Sequence, residues 1–215
     1  MKTKLIWSTP DAEKLMGYIA RVSNPANQDN PNVGKLLKYC ADHGHWSVFQ
    51  HAHACVEIET TRDIGRQILR HSSFAFSEFS QRYQDATVLG DFELRECRLQ
   101  DTKNRQNSLP NTDPAIASMW LEEQQNVLNV AMSVYHWAIG NGIAKEQARA
   151  ILPEGLTPTR MYMTGSMRSW ITYMQVRSNP DTQREHLVIA NSILELLREV
   201  MPITTAAFFP QEVAE

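Results

Sequence analysis

The sequence predicts an α+β fold, with a central, mainly antiparallel or mixed sheet flanked by helices, one of them a long central helix. Three observations predict it. Residues 52–58 alternate, with Ala52, Ala54, Val56 and Ile58 on one side and His53, Cys55 and Glu57 on the other, which is the period of a strand. Residues 115–139 carry Met119, Val127, Val130, Val134 and Trp137 near helical spacing. Further helical segments are separated by only a few short strand-like runs, with no internal repeat and no linker. At 215 residues, 42% hydrophobic and 21% charged, the chain can bury one sizeable core and is predicted to form a single domain over 1–215.

Taken in order, Ser8-Thr9-Pro10-Asp11 offers a hydroxyl cap, a proline in the first turn and an acid at the positive end of the helix dipole. A helix is therefore expected to about Ala20, ending before Asn24-Pro25. A second is expected over 32–41, with Leu36, Leu37 and Cys40 on one face. The strand at 52–58 leads into a helix over 62–69. Residues 90–114 are polar, with a strand expected at 92–97 and a long loop after it. Asn141-Gly142 ends the long helix. A short helix at 145–150 is closed by Pro153, a strand follows at 161–163 and a helix at 166–176. Thr182-Gln183-Arg184-Glu185 has the pattern of a capping box, opening a final amphipathic helix to about Val200.

The bulk numbers exclude several functions. A formal charge of −3 argues against a protein that coats nucleic acid. Three cysteines, Cys40, Cys55 and Cys97, form no close pair, as in a reduced intracellular protein. The start has charge but no apolar leader segment, and no apolar run approaches the roughly 20 residues of a membrane helix. The expected setting is cytoplasmic, without a membrane or nucleic-acid partner.

Chemistry concentrates in the arginines. Arg62, Arg66, Arg70 and Arg82 cluster in one region, and Arg149, Arg160, Arg168 and Arg177 recur in the second half. Arg66 and Arg70 lie four apart on one helix face, where like charges repel unless an anion sits near them. Arg168 and Arg177 bracket an apolar run, so at least one is expected to be partly buried with a phosphate or carboxylate partner. His43, His45, His51, His53 and His71 fall close together, but no zinc-ligand spacing accompanies them and no metal site is expected. No glycine-rich phosphate loop is present. Neither Cys40 nor Cys55 reads as an exposed, activated nucleophile.

The block Arg70-His71-Ser72-Ser73-Phe74-Ala75-Phe76-Ser77-Glu78-Phe79-Ser80-Gln81-Arg82-Tyr83 resembles the signature of flavin-dependent thymidylate synthases, the thymidylate synthase-complementing family. That signature is Arg-His-Arg, seven residues and Ser, within a pattern ending Glu-x-Ser-x-Arg-Tyr. Four further blocks are similar in register: Ala20-Arg21-Val22-Ser23, His45-Trp46-Ser47-Val48-Phe49-Gln50-His51, Glu146 to Pro153, and Met167-Arg168-Ser169-Trp170 followed by Arg177. The resemblance implies a homotetramer with shared active sites. It implies dTMP made from dUMP, with the one-carbon unit from 5,10-methylenetetrahydrofolate and the hydride from FAD that NADPH reduces. Such chemistry needs no cysteine nucleophile, because the cofactor supplies the hydride.

By this resemblance Gln67, Arg70, Glu78, Phe79, Ser80, Gln81, Arg82, Arg149 and Arg177 match dUMP-binding positions. Arg82 and Arg149 are the candidates for the phosphate. Arg177 and Ser80 match catalytic positions, with Arg177 stabilising charge on the uracil oxygens. Ser23, His45, Ser47, Arg70, His71, Ser72, Glu78, Ser166, Arg168 and Thr172 match flavin-binding positions. The pattern departs at Ser72, which stands where the family has arginine, and at Ala75, Ser77 and Asp181. One lost charged hydrogen bond to FAD costs about 1.5–3 kcal/mol. The alternatives are a related enzyme on this scaffold making hydroxymethyl-dUMP, or a nucleotide-binding homologue with weakened flavin binding.

Overall fold

A computed structural model of the chain describes residues 1–210; residues 211–215, the end of the predicted 1–215 domain, lie outside the described residues. The chain opens with a strand, β1 (Lys2–Ser8), then α1 (Ala12–Ala20) and α2 (Gly34–Asp42). The alternating run becomes β2 (His53–Thr61), followed directly by α3 (Arg62–Ile68) and a short strand, β3 (Ala75–Glu78). A small hairpin of β4 (Arg98–Gln100) and β5 (Ser108–Pro110) precedes the long helix α4 (Pro114–Gly140) and the short α5 (Lys145–Ala148). The chain then runs through β6 (Pro158–Ser166), α6 (Met167–Arg177), α7 (Arg184–Val200) and α8 (Pro202–Phe208).

The main sheet has the order β1-β2-β6-β3, and every pairing in it is antiparallel. Ala54, Val56 and Ile58 of β2 lie inward beside Met161 and Met163 of β6, all with no exposed surface. Trp170, Ile171 and Met174 of α6 and Ile189, Ile193 and Leu197 of α7 close over them. Fully burying side chains of this size is worth about 1.5–3 kcal/mol each. A second, smaller cluster of Ala86, Tyr135, Ala138 and Ala148 holds α4 against α5. Gly65 sets α3 on the sheet: a Cβ there would come within 2.9 Å of Met161 Cε and 3.3 Å of Thr159 Cγ2. No helix among the described residues is long and apolar enough to cross a membrane.

Several local expectations need correction. Residues 92–97 form no strand; the Gln124 side chain of α4 binds both backbone groups of Arg95, at 2.7 and 2.9 Å, in place of a ladder partner. The pairing falls instead on 98–100. Helix α1 has no side-chain cap, because the Thr9 hydroxyl accepts from the His53 N–H at 2.9 Å and Asp11 is left-handed with φ 47°. Helix α7 has no capping box either, since Thr182 and Gln183 are bonded elsewhere. The strands β1 and β3 and helix α8 were not expected. The predicted stripe on α4 is exposed, with Met119, Val127, Val130 and Trp137 each more than half exposed.

Candidate active site

Helix α3 divides two clefts. Gln67 faces one, about 460 Å³, shared with Gln106, Val176, Arg177, Asn179, Asp181, Thr182 and Gln183. Arg62 and Arg66, four apart, line the other, about 260 Å³, with Gln81, Arg149, Leu152, Glu154 and Thr157. One short helix therefore presents polar groups to both.

The first cleft is backed by a continuous chain of buried and half-buried polar groups. Arg177, the last residue of α6, donates its Nε–H to His71 Nε2 at 3.0 Å, so the His71 ring keeps its own proton on Nδ1. Burial, then the charges of Arg177 and Arg70, push the His71 pKa down to about 4. The Tyr173 ring packs edge-on against His71 at 4.8 Å, and its hydroxyl lies 2.9 Å from His186 Nε2. His186 Nδ1 lies 3.1 Å from Gln67 Oε1, and Gln67 Nε2 donates to Gln183 Oε1 at 2.7 Å. Gln183 Nε2 in turn donates to Glu185 Oε2 at 2.9 Å. Arg98 holds the other oxygen of Glu185 at 2.6 Å. Burial pushes the Glu185 carboxyl up, but hydrogen bonds from its own N–H, Gln183 and Arg98 outweigh it and hold the pKa below the usual range. His186, with no exposed surface, is pushed down to about 3 by burial and by the charges of Arg177 and His71.

The second cleft is more open. Gln81 is 3% exposed, yet its Nε2 has no hydrogen-bond partner. A buried unpaired amide is costly unless something outside the chain satisfies it. Glu78 accepts from Thr159 Oγ1 at 2.8 Å and lies 3.7 Å from Arg62. The Phe79 N–H extends the β3–β6 ladder to the Arg160 carbonyl at 2.8 Å. Ser80 Oγ accepts from the Arg82 N–H at 3.3 Å, which leaves its own proton free. Arg82 lines neither cleft; it sits 3.2 Å from Glu146 with most of its side chain exposed.

The arginines separate cleanly by partner. Arg62, Arg66, Arg82, Arg95, Arg98, Arg160, Arg184 and Arg198 each sit on a carboxylate. Arg21 donates to the Asn30 and Asn32 carbonyls at 2.6 and 2.7 Å. Arg70, Arg105, Arg149, Arg168 and Arg177 have no carboxylate partner among the described residues. Arg177 is half-buried, as expected of one of the pair bracketing the apolar run, while Arg168 is exposed.

The description of thymidylate synthase complementing proteins matches residues 4–203. The chain belongs to this family. It is 48% identical over 195 residues to a flavin-dependent thymidylate synthase of Synechocystis sp., covering 91% of this chain and 88% of that protein. It is 46% identical over 192 residues to a probable flavin-dependent thymidylate synthase of Paramecium bursaria Chlorella virus 1, covering 89% and 88%. A UMP/dUMP methylase, PolB, from Streptomyces cacaoi, solved bound with 5-Br dUMP, shares the fold with a TM-score of 0.82. That match is 24% identical and covers 96% of this chain and 94% of the other.

Within this thymidylate synthase complementing protein, the flavin-matched positions are mostly on the surface. Ser23, His45, Ser47, Arg70, Ser72, Arg168 and Thr172 are exposed and line neither cleft. Arg168 and Thr172 share one face of α6, and the Thr172 hydroxyl donates to the Arg168 carbonyl at 3.1 Å. The Ser166 hydroxyl caps α6, accepting from the Ser169 N–H at 3.3 Å. Cys40 and Cys55 are buried and burial raises the Cys40 pKa, so neither is an activated nucleophile. No group of three potential metal ligands occurs among the described residues. Sequence reasoning missed Tyr173, Gln183, Glu185 and His186. The available signal was His186 itself, one polar ring on the α7 face that also carries Ile189, Ala190, Ile193 and Leu197.

Proposed function

We propose that this chain is a flavin-dependent thymidylate synthase, converting dUMP to dTMP with the one-carbon unit of 5,10-methylenetetrahydrofolate. Its hydride comes from FAD, kept reduced by NADPH. The observation that carries the reading is the set of guanidiniums left without acid partners. Four of the five, Arg70, Arg149, Arg168 and Arg177, stand at positions that resemble the family's nucleotide and flavin contacts. The unpartnered Gln81 amide, in the cleft lined by Arg149, supports the same conclusion.

In this reading Arg149 and the Gln81 N–H take the nucleotide phosphate, and Arg82 joins them by leaving Glu146. Glu78, Phe79 and Ser80 form the strand end against which the nucleotide lies, and the Ser80 hydroxyl donates its free proton to it. Arg177 stabilises negative charge on the uracil oxygens as C5 becomes nucleophilic, a charge placed before the reaction begins. Arg177 is half-buried, where such an interaction is stronger than in water. The donor set also fits a flavin dinucleotide: Arg70 and Arg168, cations without a carboxylate partner, would suit its diphosphate, and His71 would have Nδ1–H to donate to it. Bound reduced flavin would supply the hydride, and the protein binds, orients and polarises. Ser23, His45, Ser47, Ser72, Ser166 and Thr172 are weaker contributors. Ser72 in place of arginine lowers flavin affinity.

The enzyme acts in the cytoplasm as a homotetramer with shared active sites. The stripe on α4 supports the self-association: positions 116, 120, 123, 127, 130, 134 and 137 repeat every 3.5 residues, and all but Glu123 are apolar and exposed. The test is the visible spectrum of the purified protein with added FAD, followed on titration with dUMP. Flavin absorbance that shifts on adding dUMP is expected. A protein that takes up neither FAD nor dUMP contradicts the reading.

A further inference from the structure

The chain of polar groups behind Gln67 has a direction, and one charge sets it. Glu185 is 6% exposed and ionised, so its oxygens only accept. Gln183 must therefore turn its Nε2 toward Glu185 and its Oε1 toward Gln67. Gln67 must then give Nε2 to Gln183 and turn Oε1 to His186 Nδ1. His186 must carry its proton on Nδ1, leaving Nε2 to accept from the Tyr173 hydroxyl. At each step the opposite orientation would set donor against donor or acceptor against acceptor in a buried place, costing about 1–3 kcal/mol. The Gln67 carbonyl is thus taken by His186, and one amide hydrogen is left over on a side chain that lines the Arg177 cleft.

We propose that Glu185, Gln183 and His186 are positioning residues that lock Gln67 to present an N–H to the cleft, so that this position selects an acceptor oxygen on the ligand. This rests on the reading that a nucleotide occupies the cleft. Without the lock an amide can rotate and meet a ligand donor or acceptor equally well. With it, a ligand bearing an amino group at that point meets a donor and is rejected. Tyr173 extends the same lock to the wall beside Arg177, because its ring packs on His71 while its hydroxyl is held by His186.

The test uses the full-length protein with nitrogen-15-labelled histidine and three variants. The His186 ring of the wild type is expected as the neutral Nδ1–H tautomer; an Nε2–H tautomer overturns the proposal whatever the ligand. An asparagine amide reaches the place of Nδ1 and a glutamine amide the place of Nε2. His186→Asn should therefore keep dUMP affinity near wild type, whereas His186→Gln and His186→Leu should weaken it about tenfold, the worth of one oriented hydrogen bond. Equal dUMP affinity in all three, with melting temperatures matching the wild type, overturns the proposal. If the variants do not fold, the wild-type tautomer decides. A wild type with the Nδ1–H tautomer that binds no dUMP removes the nucleotide reading and with it the selectivity, while the lock itself stands.

Discussion

The two clefts beside α3 are built in opposite ways. Behind Gln67 and Arg177 the polar groups are buried or half-buried and joined without a gap from Tyr173 to Arg98. Around Arg149 the Arg66–Glu154 pair is about half exposed, as is the pair of Arg82, next to Gln81 in the chain, with Glu146; Arg62 and Glu78 are more buried but 3.7 Å apart, and the buried Gln81 amide has no partner. The first is finished by the chain itself. The second is left open, with Arg149 free of any carboxylate among the described residues and Arg66 held by a surface acid. Orientation is thus fixed by the chain beside the first cleft and left free beside the second.

Breaking the finished side should cost most. Glu185→Ala leaves Arg95 and Arg98, whose side chains are 15% and 13% exposed, without the carboxylate between them. Removing one partner of a buried ion pair costs about 3–5 kcal/mol, so a large fall in melting temperature is expected. Next comes Arg177→Ala, which should fold normally but lose about 10²–10³ in turnover, the usual effect of deleting one charge-stabilising donor. Steady-state kinetics beside a thermal melt separates these two outcomes.

Acidity probes the same side. His71 and His186 have folded pKa values lowered to about 4 and about 3, against about 6.5 in an unfolded chain. As pH falls below 6.5 the unfolded chain binds protons that the folded one refuses, so stability is lost toward acid and regained toward neutrality. For the buried His186 alone this amounts to about 2 kcal/mol at pH 5. The melting temperature of the wild type should fall between pH 7 and pH 5, and that of His186→Leu should fall less. An identical slope in both would show that His186 is not buried neutral.

The open side should respond weakly in stability and selectively in binding. Gln81→Leu removes an unpaired buried amide, so the fold should be unchanged or slightly more stable while dUMP binding weakens about fivefold. Glu146→Ala should cost under about 1 kcal/mol, because its partner Arg82 is largely solvated. Calorimetric melts and dUMP titrations check both. A Glu146→Ala loss rivalling that of Glu185→Ala would erase the contrast between the clefts.

What the sequence shows follows the same division. The alternation at 52–58 identifies β2 because Ala54, Val56 and Ile58 pack into the core while His53 and Glu57 on the other face stay at least partly exposed, and the helices over 62–69, 115–139 and 166–176 lie within a residue or two of α3, α4 and α6. β1 hides because it is an edge strand: Lys2, Lys4 and Ile6 face out and dilute its pattern. β3 hides because Ala75 to Glu78 is four residues long. On α4 periodicity reveals a stripe but not its neighbour; the face that packs within the chain carries Gln124, Leu128, Tyr135 and Ala138. The arginine clusters are readable as charge, whereas their pairing depends on Glu78, Glu146 and Glu154, brought up by the fold. Gln183 and Glu185 read as a helix cap because the residues that hold them in the fold, Gln67 for Gln183 and Arg98 for Glu185, lie 116 and 87 positions away.

The central claim is the conversion of dUMP to dTMP. Purified protein loaded with FAD is mixed with dUMP, NADPH and 5,10-methylenetetrahydrofolate, and the mass of the nucleotide product is measured. A gain of CH2, the mass of dTMP, is the expected result. A flavin-loaded protein that returns dUMP unchanged, or adds CH2O, contradicts it.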